Sequence, residues 1–316
     1  MPNEIPIVSV ILPNYNHALF LSKRIDSILA QTYQNFELII LDDCSTDNSV
    51  EIIETYQAKF PEKITFIQND TNSGSPFVQW NKGVAIAKGK YIWIAESDDF
   101  CTPDLLEKSL EILQNNPTVG LVYCNSARID ENEQIFGYTA DWTKNDKQLD
   151  WENGFVAEGK MFVQTYLARA CIISNASAVV FRKDFFVQIG KADTTFKMSA
   201  DWLTWIKMLA ISEVAYIAQA LNYHRKHQNT VRASFQQSIT DVKEFFTIYE
   251  ITQEKFTLTE VQKGKIRKTI VKRWLKSVPF LSSYNKQLLA LSWKIDKKIP
   301  VLYAKKLLTA KKLKND

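Results

Sequence analysis

The 316-residue chain is 46% hydrophobic with a formal net charge of +4, a composition that fits a globular protein with a substantial core. No apolar run reaches the roughly 18 to 20 residues that span a bilayer, and the opening MPNEIPIVSV has neither the basic nor the apolar region of a secretory leader, which predicts a cytoplasmic chain. Four scattered cysteines without a CxxC pair read as reduced thiols, neither a disulfide framework nor a zinc site.

IPIVSVILPNYN predicts a buried strand that breaks at Pro13. Leu19, Leu21, Ile25, Ile28 and Leu29 then recur at helical spacing. FELIILDDCSTDNS is a second buried strand ending in Asp42 and Asp43, and SVEIIETYQAKF a helix with Asp47 or Ser49 as its cap. A third strand over KITFIQN leads through a loop to the helix FVQWNKGVAIAKG, closed by Gly89. KYIWIAE is a fourth strand, and Thr102-Pro103-Asp104 starts the next helix with a hydroxyl, a proline and an acid.

From about Asn125 to Gly159 the pattern becomes irregular and predicts loops or short antiparallel strands. NASAVVFRKDFFVQIG restores a strand and a helix, SADWLTWIKMLAI begins another helix, and EVAYIAQALNYHRKH predicts a short strand running into a polar loop. Strands alternating with helices imply a Rossmann-like α/β fold with a mostly parallel sheet covered on both faces. Beyond about residue 235 the chain turns helical, so the expected organisation is a catalytic domain over 1–235 and a basic helical extension over 236–316.

In such sheets ligands bind beyond the carboxyl ends of the strands. Three polar loops fall on that rim: PNYN, LDDCSTD and ESDDF. Glu96, Asp98 and Asp99 are either a solvated turn or oxygen ligands for Mg²⁺ or Mn²⁺ completed by a diphosphate. Tyr15 beside Asp42 and Asp43 suits a nucleoside, the ring stacking on a base and a carboxylate accepting from it; the alternative is a packing residue beside a turn. No GxGxxG follows the first strand, which leaves a dinucleotide-dependent enzyme without support.

The segments from VSVILPNYN through LDDCSTDNS, together with NDTNSGSPFVQWNKG, YIWIAESDDF, SADWLTWIK and YHRKHQNTV, resemble family 2 glycosyltransferases. The resemblance spans residues 5–235 and implies the GT-A fold and an inverting transfer from a nucleotide-sugar donor, with UDP the expected nucleotide. By position it implies that Tyr15 and Asp43 hold the base, with Pro13 on the same loop and Asn81 near the donor. Asp98 is implied beside the ribose and metal, Asp99 as the direct metal ligand, Asp201 as general base and His227 as a further metal or diphosphate contact. Two positions depart from the family pattern. Ala200 precedes Asp201 where an acid is common, and Trp80 precedes Asn81 where an arginine is common.

Each role has a plainer alternative: Asp201 as a helix cap, His227 as a surface residue, and Arg225, Lys226 and Arg232 as the phosphate contacts instead. The implied acceptor is a saccharide or lipid-linked saccharide in cell-surface polysaccharide biosynthesis; a non-catalytic nucleotide-sugar-binding module is the rival. From Lys263 to Asp316 there are 16 Lys and Arg against two acids. That tail predicts contact with an anionic membrane surface, or else a solvated appendage packed on the domain; no nucleic-acid motif accompanies it.

Overall fold

The computed structural model describes residues 6–227 and 238–312. Its sheet contains β1 (Val8–Asn14), β2 (Phe36–Asp42), β3 (Ile64–Gln68), β4 (Tyr91–Ile94), β5 (Phe100–Cys101), β6 (Val119–Ile129), β9 (Val179–Arg182) and β10 (Glu213–Arg225) in the order β3-β2-β1-β4-β9-β6-β10-β5. β1 to β4 pair in parallel, whereas β9 runs against both β4 and β6. Two short strands, β7 (Ile135–Tyr138) and β8 (Phe155–Glu158), add antiparallel edges to β6 and β10.

Side chains of a strand point alternately to opposite faces, so each central strand feeds two cores. Val8, Val10, Leu12, Leu38, Ile40, Tyr91 and Trp93 face one of them. There they meet Leu21, Ile25 and Ile28 of helix α1 (Ala18–Leu29), Ile53 of α2 (Ser49–Lys59) and Leu106, Leu110 and Leu113 of α4 (Leu105–Asn115). Ile11, Ile39, Leu41, Ile92 and Ile94 face the other core, under α3 (Pro76–Ile86). Gly83 brings α3 close, since a Cβ there would lie 2.5 Å from Ile11 Cγ2. Each aliphatic side chain fully buried in this way contributes about 1.5 to 3 kcal/mol.

The region expected to hold loops or short antiparallel strands contains two such strands, β7 and β8, with turns between them, and differs from the expectation only at its start. β6 continues to Ile129 through Asn125, Ser126 and Arg128, and the strand expected to be short, β10, runs for 13 residues with irregular register near Ala220. Polar residues inside both strands interrupt the apolar pattern because they serve turns and a cleft: Asn125 Oδ1 accepts hydrogen bonds from Thr139 Oγ1 and the Ala140 amide. Between β8 and β9 the chain forms one helical turn, α5 (Gly159–Phe162), continuing as a wider π-type turn over Val163–Leu167. After β9 come α6 (Lys183–Gln188) and α7 (Ala200–Leu209).

The C-terminal helices are α8 (Ile239–Lys255), α9 (Glu260–Ser277), α10 (Tyr284–Ile295) and α11 (Lys298–Lys312). They share the second core. Trp202 of α7 packs on Phe245 with ring centroids 4.9 Å apart, and Ile266, Ile270 and Trp274 are buried with them. The apolar face of α9 is thereby covered by protein. Among the described residues no helix is long and apolar enough to cross a membrane.

Candidate active site

The strand order reverses between β1 and β4, and an open cleft of about 520 Å³ lies beyond their carboxyl ends. Glu96, Asp98 and Asp99 enter it from the turn after β4, Asp201 from the first turn of α7, and His227 from the segment after β10.

Asp98 is the centre of the acidic turn. His227 Nε2 lies 3.0 Å from Asp98 Oδ2, and His17 Nδ1 lies 2.7 Å from the Oγ of neighbouring Ser97. The two imidazoles meet edge to face with centroids 5.4 Å apart. Ligand atoms of His17, Asp98 and His227 all fall within 4.8 Å of one another. Burial would raise the Asp98 carboxyl, yet the hydrogen bond from His227 and the positive potential of His17 and His227 bring it down to about 2. Burial lowers the pKa of His17, the charge of Asp98 opposing it, and so favours the neutral imidazole that ligates metals. One ionised carboxylate and two imidazoles fit a divalent cation.

Asp99, expected to be the direct ligand, borders the cleft, and each of its oxygens accepts one hydrogen bond. Asn175 Nδ2 donates to its Oδ2 at 2.8 Å and the Arg225 amide to its Oδ1 at 2.9 Å. Burial and the adjacent Asp98 charge raise its carboxyl to about 6, while the buried Arg24 guanidinium opposes the rise. Asp99 therefore ties the turn to β10 and to the loop before β9. Arg225 reinforces this tie, its Nε donating to the Asp98 carbonyl at 2.9 Å.

Trp80 and Glu96 form a pair that the family pattern does not suggest. The indole Nε1 donates to Glu96 Oε1 at 3.0 Å. A neutral indole in place of a guanidinium leaves the acid without a counter-charge, and burial with the Asp98 charge raises Glu96 to about 8. Ala200 is fully buried, so no acid stands beside Asp201 on that turn. The turn is held from the extension instead: Glu244 of α8 accepts from the Lys197, Met198 and Ser199 amides.

The other expected contacts lie at the ends of β1 and β2 and on α3. Pro13 is buried in β1 opposite Leu41. Tyr15, 46% exposed, stands at the tip of β1. Asp42 is a turn residue: its oxygens accept from Asn14 Nδ2, Ser45 N and Ser45 Oγ. Asp43 orders the next loop by accepting from Asn69, Ser73 and Gln79. Asn81, expected near the donor, clasps Ala192 with both ends of its amide at 2.9 and 3.1 Å. Arg232 lies outside the described residues. His17 and Asn175 were missed because a single His after PNYN and a single Asn before a strand carry no spacing signal.

A crossover sheet thus gathers a strand-tip carboxylate, flanking histidines and an aspartate around one cleft. Residues 9–169 match the family model for glycosyl transferase family 2, and the chain belongs to that family. It is 29% identical over 222 residues to an uncharacterized glycosyltransferase of Nostoc sp., covering 70% of this chain and 65% of the relative. It is 34% identical over 130 residues to the glycosyltransferase GlyG of Streptococcus pneumoniae, covering 41% of this chain and 42% of that one. The chain thus spans less than two thirds of the length of these relatives. TarS residues 1–349 of S. aureus, solved with UDP-GlcNAc, superpose with a TM-score of 0.68 at 17% identity, covering 92% and 82% of the two chains. A mannosyltransferase from Pyrobaculum calidifontis, in complex with GDP-Man and Mn²⁺, gives 0.60 at 14% identity, covering 96% and 85%. At these identities the likeness is one of fold.

Proposed function

We propose that the protein is an inverting glycosyltransferase that moves a sugar from a nucleotide-sugar donor, a UDP-sugar, to a hydroxyl of a saccharide or lipid-linked saccharide. Its expected setting is cell-surface polysaccharide biosynthesis. One observation carries the reading: the His17, Asp98 and His227 cluster and the Asp201 carboxylate border one cleft.

Inversion in a single displacement needs charge neutralisation at the leaving group and a base at the attacking hydroxyl. His17, Asp98 and His227 would hold a Mn²⁺ or Mg²⁺ ion, which when bound supplies Lewis-acid neutralisation of the diphosphate. Asp201, at the positive end of α7, accepts the proton of the acceptor hydroxyl while Glu244 keeps its turn in register. Tyr15 offers an exposed ring to the base and Asp43 borders the same loop. Asp99 and Glu96 border the same cleft, and Asp99 ties the turn to β10.

A thermal-shift panel of nucleoside diphosphates and nucleotide sugars, with and without Mn²⁺, tests this reading, because a ligand of the native state raises its stability by mass action. A Mn²⁺-dependent shift with UDP or a UDP-sugar is expected; no nucleotide giving a shift overturns it. Slow donor hydrolysis by the wild type separates the enzyme from a binding module.

Membrane contact remains part of the proposal on narrower ground. With Ile266, Ile270 and Trp274 in the core, support comes from Leu281 at 92% exposure and Trp293 at 55%, among the lysines of α10 and α11. Binding to vesicles with anionic lipid, lost at high salt, is expected; equal binding to neutral vesicles, or none, removes this part.

A further inference from the structure

One cationic side chain in the cleft has no role in the chemistry above. Arg128, on β6, borders the cleft with its guanidinium 5.0 Å from the ring of Phe136 and 5.9 Å from that of Trp142. Both rings are 51% exposed. Gly137, its partner in the β6–β7 register, leaves the space the guanidinium occupies: a Cβ there would fall 2.6 Å from Arg128 Nη2. Yet Arg128 Nε is buried without a hydrogen-bond partner, and the neighbouring carboxylate, Asp141, whose Oδ2 lies 3.1 Å from the same Cβ position, accepts from the Tyr138 amide. The side chain is pinned by aromatic faces, which attract its charge without using its N–H donors.

We propose that Arg128 and Trp142 form the acceptor subsite of this transferase, and that the acceptor is a saccharide bearing an anionic group, a carboxylate or phosphate. A planar guanidinium with unspent donors matches such a group in two parallel hydrogen bonds. The exposed Trp142 face beside it offers an apolar platform to a sugar ring. Lys226 adds positive charge to the same wall: its Nζ lies 3.0 Å from His224 Nε2, and His224 pairs in register with Arg128. The diphosphate of the donor would find its counter-charge in the ion that His17, Asp98 and His227 would hold, which leaves Arg128 for the second substrate. The inference rests on the glycosyltransferase reading.

Titration calorimetry on the full chain saturated with UDP and Mn²⁺ tests it, with three probes: a hyaluronan tetrasaccharide (carboxylates), a glycerol phosphate trimer (phosphates) and neutral chitotetraose. At least one anionic probe is expected to bind about tenfold or more tighter than the neutral one. Arg128→Gln should abolish that preference while UDP affinity in the presence of Mn²⁺ stays within about twofold, and Arg128→Lys should restore part of it. Trp142→Ala, a change at an exposed ring, should weaken the favoured probe without lowering the melting temperature. The carboxylate and phosphate arms identify the group recognised. Equal binding of all probes, no binding at 10 mM (~0.01 M) probe, an unchanged preference in Arg128→Gln, or a loss of UDP affinity in that variant would each overturn the proposal. Failure of UDP itself to bind instead sinks the donor reading, so the two failures are distinguishable.

Discussion

His227 Nε2 lies 3.0 Å from Asp98 Oδ2, although 129 positions separate the two residues in the chain. The contact joins the segment after β10 to the turn after β4, and His17 closes the triangle from the start of α1. Binding of Mn²⁺, followed by electron paramagnetic resonance, should therefore weaken at least about tenfold in Asp98→Asn and in His227→Gln. Asp99→Asn should lower the melting temperature more than the metal affinity. The reverse pattern would return the ion to Asp99.

Asp201→Asn preserves size and the polar helix start but removes the base. Turnover should fall by about 10²- to 10⁴-fold with UDP affinity unchanged. Full activity in this variant would remove Asp201 from the chemistry.

Glu244 holds three successive amides ahead of Asp201 from a different helix. Glu244→Ala leaves those donors unpaired and should cost about 2 to 3 kcal/mol in chemical denaturation. Its kinetic signature should be a lower kcat at unchanged donor affinity. If kcat at a temperature where the variant is fully folded matches wild type, the contact is structural alone.

The extension carries a pH dependence of its own. Hydrogen bonds from Lys298 and Arg267 lower the exposed Glu260 carboxyl from 4.5 to about 2. A carboxyl with a depressed folded pKa stabilises the fold above its unfolded pKa and loses that contribution as pH falls through the folded one. Acid should thus weaken the helices between pH 4.5 and about 2. Glu260→Gln should flatten that part of the curve, and added salt should shrink it because the group is solvent-screened. An unchanged profile in the variant would exclude the pair as a contributor.

Two glycines should respond oppositely to alanine. Gly83→Ala drives a methyl to 2.5 Å from Ile11 Cγ2 and should destabilise by about 1 to 3 kcal/mol. Around Gly264, within α9, a Cβ would meet nothing within 4 Å, so Gly264→Ala should stabilise by about 0.5 to 1 kcal/mol. Equal effects from thermal denaturation would contradict the packing described for α3.

The apolar runs of β1, β2 and β4 made their strands legible, because strands buried on both faces need continuous hydrophobicity. β6 and β10 were harder to read: residues such as Asn125 and Arg128 serve turns or the cleft and break the pattern that reveals a strand. At the site, motif position pointed to the acidic turn but not to the division of labour within it. The hydrogen bonds of the two adjacent carboxylates come from distant partners, Asn175 and Arg225 for Asp99 and His227 for Asp98. The partners of Asp42 and Asn81, a turn and the Ala192 backbone, were hidden by the same limitation.

The stacking of Trp202 on Phe245 has a practical corollary for dissecting the protein. A chain cut at residue 235 would bare an aromatic surface and release the loop that Glu244 anchors, so its inactivity would say nothing about the tail's role. Chimaeras with related enzymes would need to exchange α7 and α8 together, as a matched pair. Lysine-to-glutamate changes on the outer faces of α10 and α11 offer the cleaner probe, because they alter the surface while leaving the shared interior whole.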